Sequence, residues 1–95
     1  MVTTKPYFFY VLYTADGYFY AGFTDNVQRR FETHAARKGA KFTRVKSRHP
    51  LQLIYEAQFD SKSEALRAEA AFKKLTRQKK EQFLSQNNVD KRIWQ

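Results

Sequence analysis

Residues Tyr7 to Tyr13 read YFFYVLY, an unbroken run of aromatic and branched side chains that stops at Thr14-Ala15-Asp16-Gly17. Such residues suit the pleated surface of a strand, and Asp-Gly supplies the positive-φ positions of a tight hairpin turn. Tyr18 to Phe23 (YFYAGF) then reads as the returning strand. An antiparallel hairpin is therefore predicted at the start of the chain. With 95 residues one domain is expected, and its core must be small. Nine Phe, six Tyr and one Trp compensate, since each large ring buries about 150–250 Å².

Further along, Asp25 or Asn26 can cap a helix in which Val27, Phe31 and Ala35 recur at four-residue spacing, with Gly39 as its stop. Lys38 to Pro50 loses the pattern and reads as a basic loop. Leu51 to Phe59 alternates, placing Leu51, Leu53, Tyr55, Ala57 and Phe59 on one face of a third strand. Ser61 to Glu64 matches a capping box, with Asp60 as a competing cap, ahead of a helix over Lys62 to Leu75. Thr76 caps another running to about Gln86. The order β-β-α-β-α-α gives an α+β domain, a three-stranded antiparallel sheet flanked by helices. Its expected extent is 7–86, after an unstructured lead-in, 1–6. A tail follows over 87–95, in which Ile93 and Trp94 are the residues able to fold back on the core.

The chain carries 18 Lys and Arg against nine Asp and Glu, a formal charge of +9. So large an excess favours an anionic partner, nucleic acid first and an anionic membrane surface second. There is no cysteine, hence no disulfide and no thiolate zinc site. The seven-residue apolar run falls short of the roughly 20 residues that span a bilayer, and the start lacks a signal-peptide layout. The expectation is a cytoplasmic protein without a membrane partner.

Eight of the nine acids fit turns, caps, or solvated and paired positions. Glu69 does not, because it falls on the stripe of Ala65, Leu66, Phe72 and Leu75. A carboxylate facing a core needs a cation. Lys73 along the helix, Arg30 across the fold and a metal ion all remain open. Arg30 and His34, four residues apart, share a helix face at the edge of the apolar stripe. They read as surface residues or, over the sheet, as a phosphate clamp and a proton carrier. Tyr10 shares a strand face with Phe8 and Leu12, and Tyr20 with Tyr18 and Gly22. Gly22 inside a strand signals a bulge or a close backbone approach.

These positions together resemble the GIY-YIG endonuclease superfamily, its small single-domain branch in particular. The signature tripeptides fall at Phe8-Phe9-Tyr10 and Tyr20-Ala21-Gly22, and Thr24 to His34 looks like the helix carrying the family's arginine and histidine. Gly39 to Arg44, Pro50-Leu51 with Leu53 to Tyr55, and Glu64 to Glu69 followed by Lys73 to Leu75 resemble the small branch. Phe8, Phe9 and Ala21 depart from the tripeptides, all at packing positions.

The resemblance implies a divalent-metal-dependent endonuclease acting on DNA, weakly sequence-specific or structure-directed, with Mg²⁺ or Mn²⁺ on a single carboxylate. Glu69 would be that ligand, Arg30 would steady the phosphate, and Tyr10, Tyr20 and His34 would complete the catalytic set. A tyrosine acting on the attacking water needs a cation nearby, since its ordinary pKa is about 10. Arg29, Arg37, Lys38, Lys41, Arg44, Lys46, Arg48, Lys73, Lys74 and Arg77 are the expected nucleic-acid-binding residues. Gly22 is expected to be structural. The competing readings are a module that binds DNA or structured RNA without cutting, and a peripheral membrane or partner-binding protein.

Overall fold

The computed structural model describes residues 5–95, so residues 1–4 of the expected lead-in lie outside the described residues. Strands β1 (Tyr7–Tyr13), β2 (Phe19–Thr24) and β3 (Gln52–Phe59) form one antiparallel sheet in the order β2-β1-β3. The aromatic run is thus the central strand, covered on both faces by helices. These are α1 (Val27–Ala35), α2 (Lys41–Arg44), α3 (Lys62–Lys73) and α4 (Arg77–Gln86), with 3-10 turns at Lys46–Arg48 and Lys91–Ile93.

Alternation along β1 divides the core in two. Phe9 and Val11 join Ala21, Phe72, Leu84 and Val89 on the side of α3 and α4. Tyr10 and Leu12 join Leu51 on the other side, with Tyr20, Phe31 and Leu53 packed against them. Phe9, at a departure from the family tripeptide, fills its side with rings: its centroid lies 5.8 Å from Tyr55 and 5.6 Å from Phe72. Ile93 and Trp94 pack against this same cluster, Trp94 edge-on to Phe19 at 5.4 Å.

Several local expectations need correction. The hairpin is wider than a two-residue turn: only Gly17 adopts positive φ (91°), while Thr14 closes the loop by accepting from the Tyr18 N–H at 2.8 Å. Asp16 is drawn away to Arg48, 2.8 Å distant. In β3, Val11 pairs with Tyr55 but Leu12 pairs with Leu53, leaving Ile54 as a bulge. The bulge moves Leu51 and Leu53 to the Tyr10 side while Tyr55 and Phe59 stay with Phe9, so they do not share one face.

Asn26 caps α1, its Oδ1 accepting from the Arg29 N–H at 3.0 Å. The helix stops before Gly39, because Arg37 itself takes the left-handed conformation (φ 61°). Its buried residues are Val27 and His34, whereas Ala35 is exposed. The expected basic loop instead holds α2 and a 3-10 turn. Arg48 ties them to the hairpin, its guanidinium 3.8 Å from the Phe42 ring centre and 4.9 Å from that of Tyr18. Ser61, not Asp60, caps α3, and Leu66 faces solvent. The inward residues there are Ala65, Ala68 and Phe72, followed by Leu75 beyond the helix end.

Candidate active site

A strand, a helix and a four-residue helix each send one polar side chain into the Tyr10 side of the core. Tyr10 comes from β1, His34 from α1 and Thr43 from α2, and all three are buried. The Thr43 hydroxyl donates to the Ala40 carbonyl at 3.0 Å, so it must accept from His34 Nδ1 at 2.6 Å. Nδ1 therefore carries the imidazole proton, and bare Nε2 accepts from the Tyr10 hydroxyl at 2.9 Å. One directed chain of hydrogen bonds runs from Tyr10 to a backbone carbonyl. Burial, then the Arg30 guanidinium and His49, push His34 down to about 4. Burial pushes Tyr10 up to about 12, against the opposing pull of Arg30. His34 thus accepts from Tyr10 as a neutral imidazole near pH 7.

Two glycines make room for this chain. Tyr10 and Gly22 are cross-strand partners, and a Cβ on Gly22 would meet the Tyr10 hydroxyl and come 2.6 Å from its Cζ. A Cβ on Gly39 would lie 2.5 Å from His34 Nδ1. Gly22 thus provides the close backbone approach its strand position signalled. The roles of Gly39 and Thr43 were missed, although an inward-facing histidine calls for two partners and Thr43 lies in the adjoining segment.

Tyr20, Arg30 and Glu69 surround the chain. The Tyr20 and His34 rings meet edge to face at 5.3 Å. The Arg30 guanidinium opposes the rise in the Tyr10 pKa, and Tyr20 and, more weakly, the Glu69 carboxylate add to it. Glu69 is largely sheltered, its side chain 14% exposed, and the Lys73 ammonium holds its Oε1 at 2.8 Å. Of the alternatives left open for this carboxylate, the Lys73 pair is present. Beside it, at the outer edge of β2, a cleft of about 200 Å³ opens between Tyr20, Phe42, Phe72, Lys73 and Lys80.

The basic residues divide into two sets. Arg44 donates to the Gly39 carbonyl at 2.8 Å, Arg48 pairs with Asp16, and Arg77 bonds both Glu81 and the Gly17 carbonyl. Arg29 reaches Asp25 at 3.4 Å and Lys73 holds Glu69. Arg37, Lys38, Lys41, Lys46 and Lys74 are exposed. Among the described residues, these five make no side-chain hydrogen bond or ion pair.

A family model described as the GIY-YIG catalytic domain matches residues 6–82. The chain belongs to the GIY-YIG family. It is 56% identical over 89 residues to a UPF0213 protein of Limosilactobacillus reuteri, covering 94% of this chain and 93% of that one. A UPF0213 protein of Lactiplantibacillus plantarum is 59% identical over 85 residues, 90% of this chain and 84% of its own. The solution structure of a protein from E. faecalis is similar with a TM-score of 0.63 and 46% identity, covering 95% of this chain and 94% of that one. A second, of a UPF0213 protein from Bacillus halodurans, gives 0.56 and 42%, covering 84% and 83%. Tyr10 and Tyr20 lie within the matched range on the paired strands β1 and β2.

No helix among the described residues is long and apolar enough to cross a membrane. Nor do three or more His, Asp or Glu gather there into a metal-binding cluster. Any divalent ion held at this site would rest on Glu69. That donor set fits Mg²⁺, which takes one or two carboxylates and leaves its remaining positions to water and phosphate oxygens.

Proposed function

We propose that this GIY-YIG domain hydrolyses phosphodiester bonds of DNA with a divalent metal ion held at Glu69. The observation that carries the reading is a sheltered Glu69 together with Tyr10 and Tyr20 gathered on the His34 imidazole, in a chain of this family. When bound, the ion supplies Lewis-acid polarisation of the scissile phosphate and stabilises the leaving oxygen. Arg30 offsets charge on the phosphoryl oxygens by forked contact. Tyr10 keeps its proton, because His34 accepts from it and burial disfavours the phenolate. Tyr10 therefore spends its one proton on His34 and can meet the site only as an acceptor, and Tyr20 at the cleft is the tyrosine that meets the attacking water. His34 and Thr43 act through Tyr10 as positioning residues. The exposed Arg37, Lys38, Lys41, Lys46 and Lys74 hold the DNA backbone without reading bases.

The test incubates purified protein with nicked, branched and single-stranded DNA and Mg²⁺ or Mn²⁺, beside Glu69→Ala, Arg30→Ala and EDTA controls. Cleavage lost in both variants and in EDTA is expected, and cleavage that persists in them contradicts the assignment. One observation favours a second reading. The Lys73 pair already satisfies Glu69, as in a domain that binds nucleic acid without cutting. That reading requires salt-sensitive binding indifferent to chelators and to Glu69→Gln, with no cleavage of any substrate.

A further inference from the structure

We infer that the cleft beside Tyr20 receives one unstacked nucleobase, so that the strand presented to the active site is single-stranded DNA. The inference deepens the proposed hydrolysis and rests on it for the position of the active site. The cleft lies at the open edge of β2, where Phe42 and Tyr20 lie nearly parallel, centroids 5.7 Å apart and planes at 23°. Phe72 adds an aromatic wall, while Lys73 and Lys80 line the same cleft. Simple apolar ligands have no use for two ammonium groups, and a bare phosphate has none for three rings. A base joined to a phosphate uses both.

Two further observations point the same way. Phe42 is held in place, because the Arg48 guanidinium covers it at 3.8 Å and is itself anchored to Asp16. Its orientation is thus fixed before a ligand arrives, which lowers the entropy cost of stacking. The aromatic row also continues outward. Tyr18 is 51% exposed, meets Phe42 edge-on at 5.7 Å and sits on the outer end of the hairpin. Exposed large rings of this kind serve as stacking platforms for successive bases. In a duplex the faces of each base are already covered by stacking, so the row is available only to an unpaired strand. From the cleft, Lys73 leads directly to Glu69 at 2.8 Å, placing an adjacent phosphate on the side of the carboxylate.

The test uses the full chain in EDTA, where no cleavage competes, and fluorescence anisotropy with a labelled thymidine strand of about 12 nucleotides. A blunt duplex of equal length and thymidine monophosphate serve as competitors. The single strand is expected to bind about tenfold or more tighter than either, with Phe42→Ala removing about tenfold and Gln58→Ala, exposed on the opposite edge strand, little. Because Phe42 also packs on Arg48, a second measurement uses the unaltered protein: photocrosslinking of a 5-iodouracil strand, mapped by mass spectrometry. Crosslinks at Tyr20, Phe42 or Tyr18 support the pocket, and crosslinks confined elsewhere overturn it. Thymidine monophosphate competing as well as the strand would assign the cleft to a free nucleotide and overturn the inference. Glu69-dependent cleavage of paired duplex with no single-strand preference would overturn the pocket and leave hydrolysis standing. Single-strand preference lost in Phe42→Ala, without cleavage in any metal, would keep the pocket and overturn hydrolysis.

Discussion

Tyr10, His34 and Thr43 share three protons in a chain sealed from water, and that arrangement sets their response to pH. Unfolded histidine binds a proton below about 6.5, whereas folded His34 does so only near 4. The unfolded state therefore binds more protons in this window, and stability falls as pH drops from 6.5 to 4, by up to about 3 kcal/mol. Tyr10 acts at the other end. Above pH 10 the unfolded phenol ionises while folded Tyr10 keeps its proton to about 12, so stability falls again as pH rises between those values. Urea titrations across pH should show both slopes, and a His34→Gln variant should lose the acid one. Thr43→Val should leave the Nδ1 proton of His34 unpaired in the core and cost about 1–3 kcal/mol. Thr43→Ser should restore most of it in the same urea titration. Little of this could be read from residue types. His34 was legible as a histidine near the sheet, but its neutrality depends on Thr43 and Gly39, whose places follow from the path of the chain after Arg37.

Elements were legible wherever local chemistry decides them. The aromatic run became the central strand, Asn26, Ser61 and Thr76 cap their helices, and α4 ends at Gln86 as expected. Where long-range contacts decide, the pattern misled. The β3 bulge at Ile54 is imposed by register against β1, and no alternation in Leu51 to Phe59 reveals it. Likewise the basic segment after Gly39 carries no apolar period, yet Arg48 folds it by stacking on Phe42 and Tyr18 and pairing with Asp16. A residue expected to contact DNA is here a fastening between elements. Arg48→Gln should accordingly lower stability by about 1–2 kcal/mol, while Lys46→Gln, on the same 3-10 turn but exposed, should stay within about 0.5 kcal/mol. Thermal unfolding of both variants checks the contrast.

At the scale of the whole molecule, the charge of +9 is an excess divided between structure and grip. Arg44, Arg48 and Arg77 hold the fold together, and the exposed set around Arg37, Lys41, Lys46 and Lys74 is the one the proposed function assigns to phosphates. DNA affinity should fall steeply with salt, and each neutralised residue of the exposed set should reduce the slope of log K against log salt by about 0.7–0.9. Titrations of Lys41→Gln and Lys46→Gln in graded NaCl give that slope. The same division governs the acids. Asp16, Asp25, Glu81 and Asp90 are spent on ion pairs, while Glu69 stands sheltered and is balanced by Lys73. The central claim is that this carboxylate holds a divalent ion. A crystal soaked in Mn²⁺ and measured for anomalous scattering tests it directly. A peak is expected about 2.0–2.6 Å from a Glu69 oxygen with the Lys73 ammonium displaced. A Lys73 ammonium still on Glu69, with no peak beside the carboxylate at saturating Mn²⁺, would contradict it.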